Sequence, residues 1–157
     1  MKILYICTHN RCRSILCEAI TNLMAGPGMM AASAGSAPAG AVHPLTLHYL
    51  REAGVPIVGL HSKSWDDLDD LEPDLVITVC DSAARESCPA WFGKAVKVHW
   101  GLADPSQVAG GEAEQAVAFR ACIGEIKQRV KALRDIAQLH PDGEMLRAAL
   151  LRLGASA

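Results

Sequence analysis

Near its start the chain reads YICTHNRCRSILCEA, which places Cys7, Cys12 and Cys17 close to Arg11 and Arg13. Cys7 ends KILYIC, an apolar run rich in strand formers, and SILCEAITNLMA then carries apolar residues at helical spacing. The intervening THNRCR must turn a strand end into a helix start. The first N–H groups of a helix have no intrahelical acceptor, so Thr8, His9, Asn10, Arg11, Cys12, Arg13 and Ser14 are placed to cradle a tetrahedral oxyanion. The Arg13 guanidinium can bond two oxygens of that anion at once and stays charged. The same positive surroundings favour the thiolate of Cys7, the form that attacks. Asn10 tolerates left-handed backbone angles and can turn the loop. Ser14 can hydrogen-bond the thiolate or cap the helix.

The remaining sequence must supply the scaffold. MAASAGSAPAG reads as a short strand running into a loop, and HPLTLHYLREAG as a helix closed by Gly54. DLVITVC is a continuous apolar run of the kind buried on both faces of a parallel sheet, and KAVKVHW is a further strand. Helical periodicity then holds from about Gly111 to Ala137. This succession predicts an α/β fold, an open and mostly four-stranded parallel sheet with helices on both faces. In such sheets ligands bind at the carboxyl ends of the strands, where Cys7 stands. Residues 1–137 are expected to form the working domain. Residues 138–157 are expected to form a tail with a short amphipathic helix over Glu144 to Leu153.

With 157 residues, the chain suits one core. Lys and Arg total 15 against 17 for Asp and Glu, which gives no electrostatic case for nucleic acid or an anionic membrane. No apolar run approaches the roughly 18 residues of a membrane span, and MKILYIC turns polar too soon for a signal peptide. A cytoplasmic monomer is expected, acting on a small partner. In that compartment six cysteines do not read as a disulfide framework, so catalysis, redox exchange, metal binding or plain burial must account for them. A zinc site, with His9, His43, His61 and His99 as further ligands, has little support in the spacing, because the chain holds no C-x2-C pair.

The arrangement C-x5-R-S at Cys7, Arg13 and Ser14, after a strand and before a helix, resembles the signature of the low-molecular-weight protein tyrosine phosphatase superfamily. That superfamily holds two chemistries, phosphatases and arsenate reductases. The resemblance implies that Asp104, in HWGLADPS, is the general acid of a late Asp-Pro. The phosphatases commonly follow this Asp-Pro with tyrosines that stack on an aromatic substrate. Here Ser106 follows, and no aromatic residue stands from Gly101 to Ala118, so the segment looks like that of the reductases. In VCDSAARESCPAWFG, Cys80 and Cys88 match the cysteine pair of thioredoxin-coupled reductases. Reducing arsenate needs two electrons, so the thiolate that displaces oxygen must be followed by a second thiol that attacks its sulfur.

The resemblance therefore implies reduction of arsenate to arsenite, with phosphate or sulfate as mimics. Cys7, Arg13, Asp104, Cys80 and Cys88 would be catalytic, and the alternative is a phosphatase for phosphotyrosine or small phosphoesters. No cofactor is required beyond an external reductant, thioredoxin or a glutathione and glutaredoxin system. Cys12 would take a protective or packing role, and Cys17, Cys122 and Trp100 would pack the core. His9 replaces a glycine usual in the superfamily, which restricts the loop backbone or brings an imidazole near the anion. Some such reductases hold a potassium ion through an Asn, a Glu, a Ser and an Asp. Asn10, Glu18 and Ser33 match, but the fourth position falls in HSKS, which has no carboxylate, so a bound potassium is not expected.

Overall fold

The apolar runs assemble as one parallel sheet in a computed structural model that describes residues 1–86, 89–139 and 143–156. Its strands are β1 (Lys2–Ile6), β2 (Met30–Ala34), β3 (Leu75–Thr78) and β4 (Val96–His99), in the order β2-β1-β3-β4. All three pairings are parallel, with Tyr5 beside both Ser33 and Ile77. Apart from Lys2 and Thr78 at their ends, the central strands are apolar because both their faces are covered: Ile3, Leu4, Tyr5, Ile6, Leu75, Val76 and Ile77 are all buried. Edge strand β4 alternates instead, with Val96 and Val98 inward and Lys97 and His99 outward.

Among the described residues five α-helices complete the fold: α1 (Arg13–Met24), α2 (Pro44–Glu52), α3 (Asp81–Arg85), α4 (Glu112–Leu139) and α5 (Gly143–Ser156). α1 packs on β1, β2 and α4, while α5 packs on β4 and α4. The stripe Phe119, Cys122, Ile123, Ile126, Val130 and Leu133 forms the buried face of α4, at the helical period read from the sequence. Trp100 packs in the core, its ring 5.7 Å from that of Tyr5, with the Arg129 guanidinium 5.4 Å from its centroid. Among the described residues no helix is long and apolar enough to cross a membrane.

The strand order fixes where chemistry can occur. From β1 the chain crosses to β2 on one side, whereas β3 and β4 lie on the other, so the sheet has its topological switch between β1 and β3. A crevice opens beyond the carboxyl ends of those two strands. Cys7 immediately follows β1, and Cys80 stands two residues past β3. The fold thus delivers two thiols to the two sides of one crevice.

Candidate active site

Residues 7–12 join β1 to α1, and Asn10 makes the turn with φ 46°. That is the left-handed conformation in which Asn is better tolerated than most side chains. His9 has no positive φ. Its ring is exposed, with Nδ1 3.1 Å from the Ala37 carbonyl, so the replacement of glycine leaves the backbone unstrained. The loop carbonyls point outward, where Thr8 O accepts from Ala37 N–H, His9 O from Ala39 N–H and Arg11 O from His43 N–H, each at 2.9 Å. The N–H groups of residues 8–13 make no hydrogen bond to any described residue. With outward acceptors satisfied and donors unengaged, the loop has the donor arrangement that could hold an anion at the start of a helix.

The Cys7 sulfur lies 2.9 Å from Ser14 Oγ, and Ser14 provides no helix cap: Cys12 holds that position without a side-chain cap bond. Arg13 donates from Nη1 to the Leu102 carbonyl at 2.9 Å and holds Nη2 3.6 Å from Asp104 Oδ2. The other Asp104 oxygen, Oδ1, accepts from Ser106 N–H at 2.9 Å and from the Ser106 hydroxyl at 2.6 Å. This caps the short turn Pro105–Gln107 and leaves Oδ2 facing Arg13. Cys7, Thr8, His9, Arg11, Cys12, Arg13, Cys80 and Asp104 all line one cavity of about 330 Å³. Its described lining contains no Phe, Tyr or Trp.

Cys80 is buried at the start of α3, where its sulfur receives the Ala83 N–H at 3.4 Å. Thr8 links it to the anion loop: the Thr8 hydroxyl donates to Glu86 Oε1 at 2.9 Å and lies 3.8 Å from Cys80 Sγ. Cys88 lies outside the described residues. Cys12 is buried, and that burial, the dominant cause, pushes its thiol up to about 12. Cys17 is shifted in the same direction by burial, and Cys122 is pushed up to about 12, again chiefly by burial. These three thiols stay protonated near neutral pH and pack as small apolar groups.

Two features of the site were not visible in the sequence. Gly35, just after β2, runs so close to the loop that a Cβ there would sit 2.4 Å from Thr8 O and 2.6 Å from Cys7 O. Both are backbone atoms and cannot yield cheaply, so only glycine fits. Gly35→Ala is expected to cost about 1–3 kcal/mol and to weaken oxyanion affinity by displacing the cradle. Thermal melts with and without sulfate check both effects. The second feature is Lys63. Its Nζ lies 3.3 Å from Glu18 Oε1 and donates to the His61 carbonyl at 3.0 Å, on the side of the loop away from the cavity.

A parallel sheet with a thiol, unengaged loop N–H groups, an arginine and a carboxyl group at its switch point is an arrangement that can bind a tetrahedral oxyanion and attack it with a thiolate. The chain belongs to the low molecular weight phosphotyrosine protein phosphatase family, whose profile matches residues 2–144. It is 33% identical over 133 residues to an arsenate reductase of Halalkalibacterium halodurans, covering 85% of this chain and 94% of that protein. A glutaredoxin arsenate reductase of Synechocystis sp. is 26% identical over 132 residues, covering 84% of this chain and 95% of the relative. Among solved structures, a thioredoxin-dependent arsenate reductase of Corynebacterium glutamicum superposes with a TM-score of 0.68 at 30% identity. The match covers 88% of this chain but 62% of the C. glutamicum chain, so the chain spans less than two thirds of that protein.

Proposed function

We propose that this protein is an arsenate reductase working through a Cys7 adduct and an intramolecular relay of thiols. The observation that carries this reading over hydrolysis is that Cys80 shares the cavity of Cys7, bridged to its loop by Thr8. Hydrolysis of a phosphoester needs no second thiol, and the described cavity offers no aromatic ring to grip a phosphotyrosine. The similarity to proteins named arsenate reductase supports the same reading.

Arsenate enters the cradle and takes the place of the Asp104 carboxyl beside the Arg13 guanidinium. The Cys7 thiolate attacks arsenic, and one As–O bond breaks. Asp104 delivers a proton to the departing oxygen, which leaves as water. The Cys80 thiolate then attacks Cys7 Sγ. The S–As bond breaks and its electron pair stays on arsenic, so As(V) leaves as arsenite and a Cys7–Cys80 disulfide remains. Cys88 attacks Cys80 Sγ, freeing the Cys7 thiolate and closing a Cys80–Cys88 disulfide. An external thiol reductant returns the two electrons. An intramolecular disulfide of this kind suits a dithiol protein of the thioredoxin type, and a glutathione-linked system is the other arm of the assay. The cysteines among the described residues are unlinked, which suits the reducing cytoplasm. The catalytic unit is residues 1–137, with the C-terminal segment as a packing addition.

Arsenite formation that depends on reductant, measured beside hydrolysis of an aryl phosphate, tests the reading directly. Fast hydrolysis without arsenate reduction would make the protein a phosphatase. Cys12→Ser is expected to retain most of the arsenate reduction, because the buried Cys12 thiol has no step to perform. If that variant formed the adduct but never released arsenite, Cys12 would belong in the relay.

A further inference from the structure

Behind the anion loop, a continuous hydrogen-bonded chain runs from Lys63 to the sulfur of Cys7. Asn10, Ser14 and Ser33 within it are fully buried and Glu18 nearly so, which makes each donor and acceptor consequential. Lys63 holds the chain at two points. Its backbone N–H donates to Asn10 Oδ1 at 2.9 Å, and its ammonium reaches Glu18 Oε1 at 3.3 Å. The first contact orients the Asn10 amide, so Nδ2 donates to Ser14 Oγ at 2.8 Å and to Ser33 Oγ at 3.0 Å. The Glu18 carboxylate can only accept, and it takes the Ser33 hydroxyl proton at 2.8 Å. Ser14 already accepts from Asn10, so its own proton is left for Cys7, 2.9 Å away. A thiolate can only accept, and this polarity supplies it with a donor.

The Ser33 branch of the chain ends on Glu18, whose Oε1 accepts from the Ser33 hydroxyl and faces the Lys63 ammonium. A carboxylate this buried is costly without a partner, and the Lys63 ammonium is the cation that reaches it. The same ammonium bears on whether the oxygens of Asn10, Glu18 and Ser33 suit a potassium ion. They do not: Asn10 Oδ1 is spent on the Lys63 N–H, and Glu18 Oε1 on Ser33 and Lys63. A second cation there would meet a positive charge where it needs a carboxylate.

We propose that Lys63 is a positioning residue: its ammonium serves as a tethered, built-in cation paired with Glu18 behind the loop, while its backbone N–H holds the Asn10–Ser14 chain polarised toward Cys7. The proposal deepens the reading of Cys7 as nucleophile, and its test needs no arsenate. Purified full-length protein is melted, and Cys7 is alkylated with iodoacetamide at neutral pH with mapping of the modified peptide. Both measurements are made in potassium chloride and in choline chloride at equal ionic strength. The parent is expected to give the same midpoint and rate in both salts. Lys63→Ala should alkylate Cys7 roughly tenfold more slowly, the scale of one unit charge acting across the interior at an effective dielectric of about 20. Its melting midpoint should fall by roughly 5–10 °C. Potassium or methylammonium, both small enough to enter the space the side chain leaves, should restore part of the rate, whereas choline should not. A parent stabilised by potassium over choline would overturn the proposal. So would a folded Lys63→Ala variant that alkylates at the parent rate, or one that neither small cation improves. If Lys63→Ala does not fold, the salt comparison on the parent still decides whether the cation is built in. Loss of arsenate reduction with these responses intact would count against the reductase reading alone.

Discussion

Cys80→Ser is expected to end steady-state arsenate reduction while leaving the fold and the first chemical step in place. Turnover should drop from repeated cycles to the slow release of arsenite by external thiol. The site explains why the change is clean. Cys80 occupies the N-cap of α3 and its sulfur accepts the Ala83 N–H at 3.4 Å, a task that a serine hydroxyl performs at least as well. The cradle, Cys7 and Arg13 are untouched, so the thiol-arsenate adduct should accumulate. Cys88→Ser gives the complementary state: Cys80 can still attack, so each enzyme should release one arsenite and retain a Cys7–Cys80 disulfide. Mass spectrometry of peptides after a single exposure to arsenate distinguishes the two trapped forms. Any side hydrolysis of aryl phosphates should survive both substitutions. Repeated reduction at the parent rate by both variants would remove the relay from the mechanism.

What the sequence made legible in this site was local. Cys7, Arg13 and Ser14 lie within one loop and the first turn of α1, and their spacing announces an anion cradle because consecutive residues must fill that turn. The left-handed Asn10 follows from the same geometry. The parallel sheet was readable because β1 and β3 are apolar on both faces, a pattern that partly exposed strands do not show. The illegible parts depend on contacts between segments far apart in the chain. Nothing in SAGSAPAG signals that Gly35 abuts the carbonyls of Cys7 and Thr8, and nothing in HSKS signals that Lys63 reaches Glu18. Glu86, which anchors Thr8 across the crevice, belongs to the same group. Helix α3 escaped notice because five residues are too few to display a helical period, and its start is set by the Cys80 cap.

Asp104→Asn should slow adduct formation by about two orders of magnitude, as is typical when a general acid is lost. The surroundings of Asp104 predict how the loss divides between binding and chemistry. One carboxylate oxygen is committed to Ser106 through its N–H and hydroxyl, and the other faces the Arg13 guanidinium at 3.6 Å. An asparagine has one acceptor for these two tasks. Keeping its carbonyl on Ser106 preserves the cap of the Pro105–Gln107 turn, and its NH2 group then faces Arg13, where two donors repel. Arg13 still has the Leu102 carbonyl at 2.9 Å to hold its stem in place, and its fork is released from the carboxylate. A competing negative charge has also left the cavity, so sulfate or phosphate should bind Asp104→Asn at least as tightly as the parent. Calorimetric titration with sulfate, set beside single-turnover adduct formation, separates the two effects. Tight binding with a slow first step assigns the proton to Asp104. Weak binding with an unchanged rate constant at saturation would make Asp104 a support for Arg13 and require a different acid.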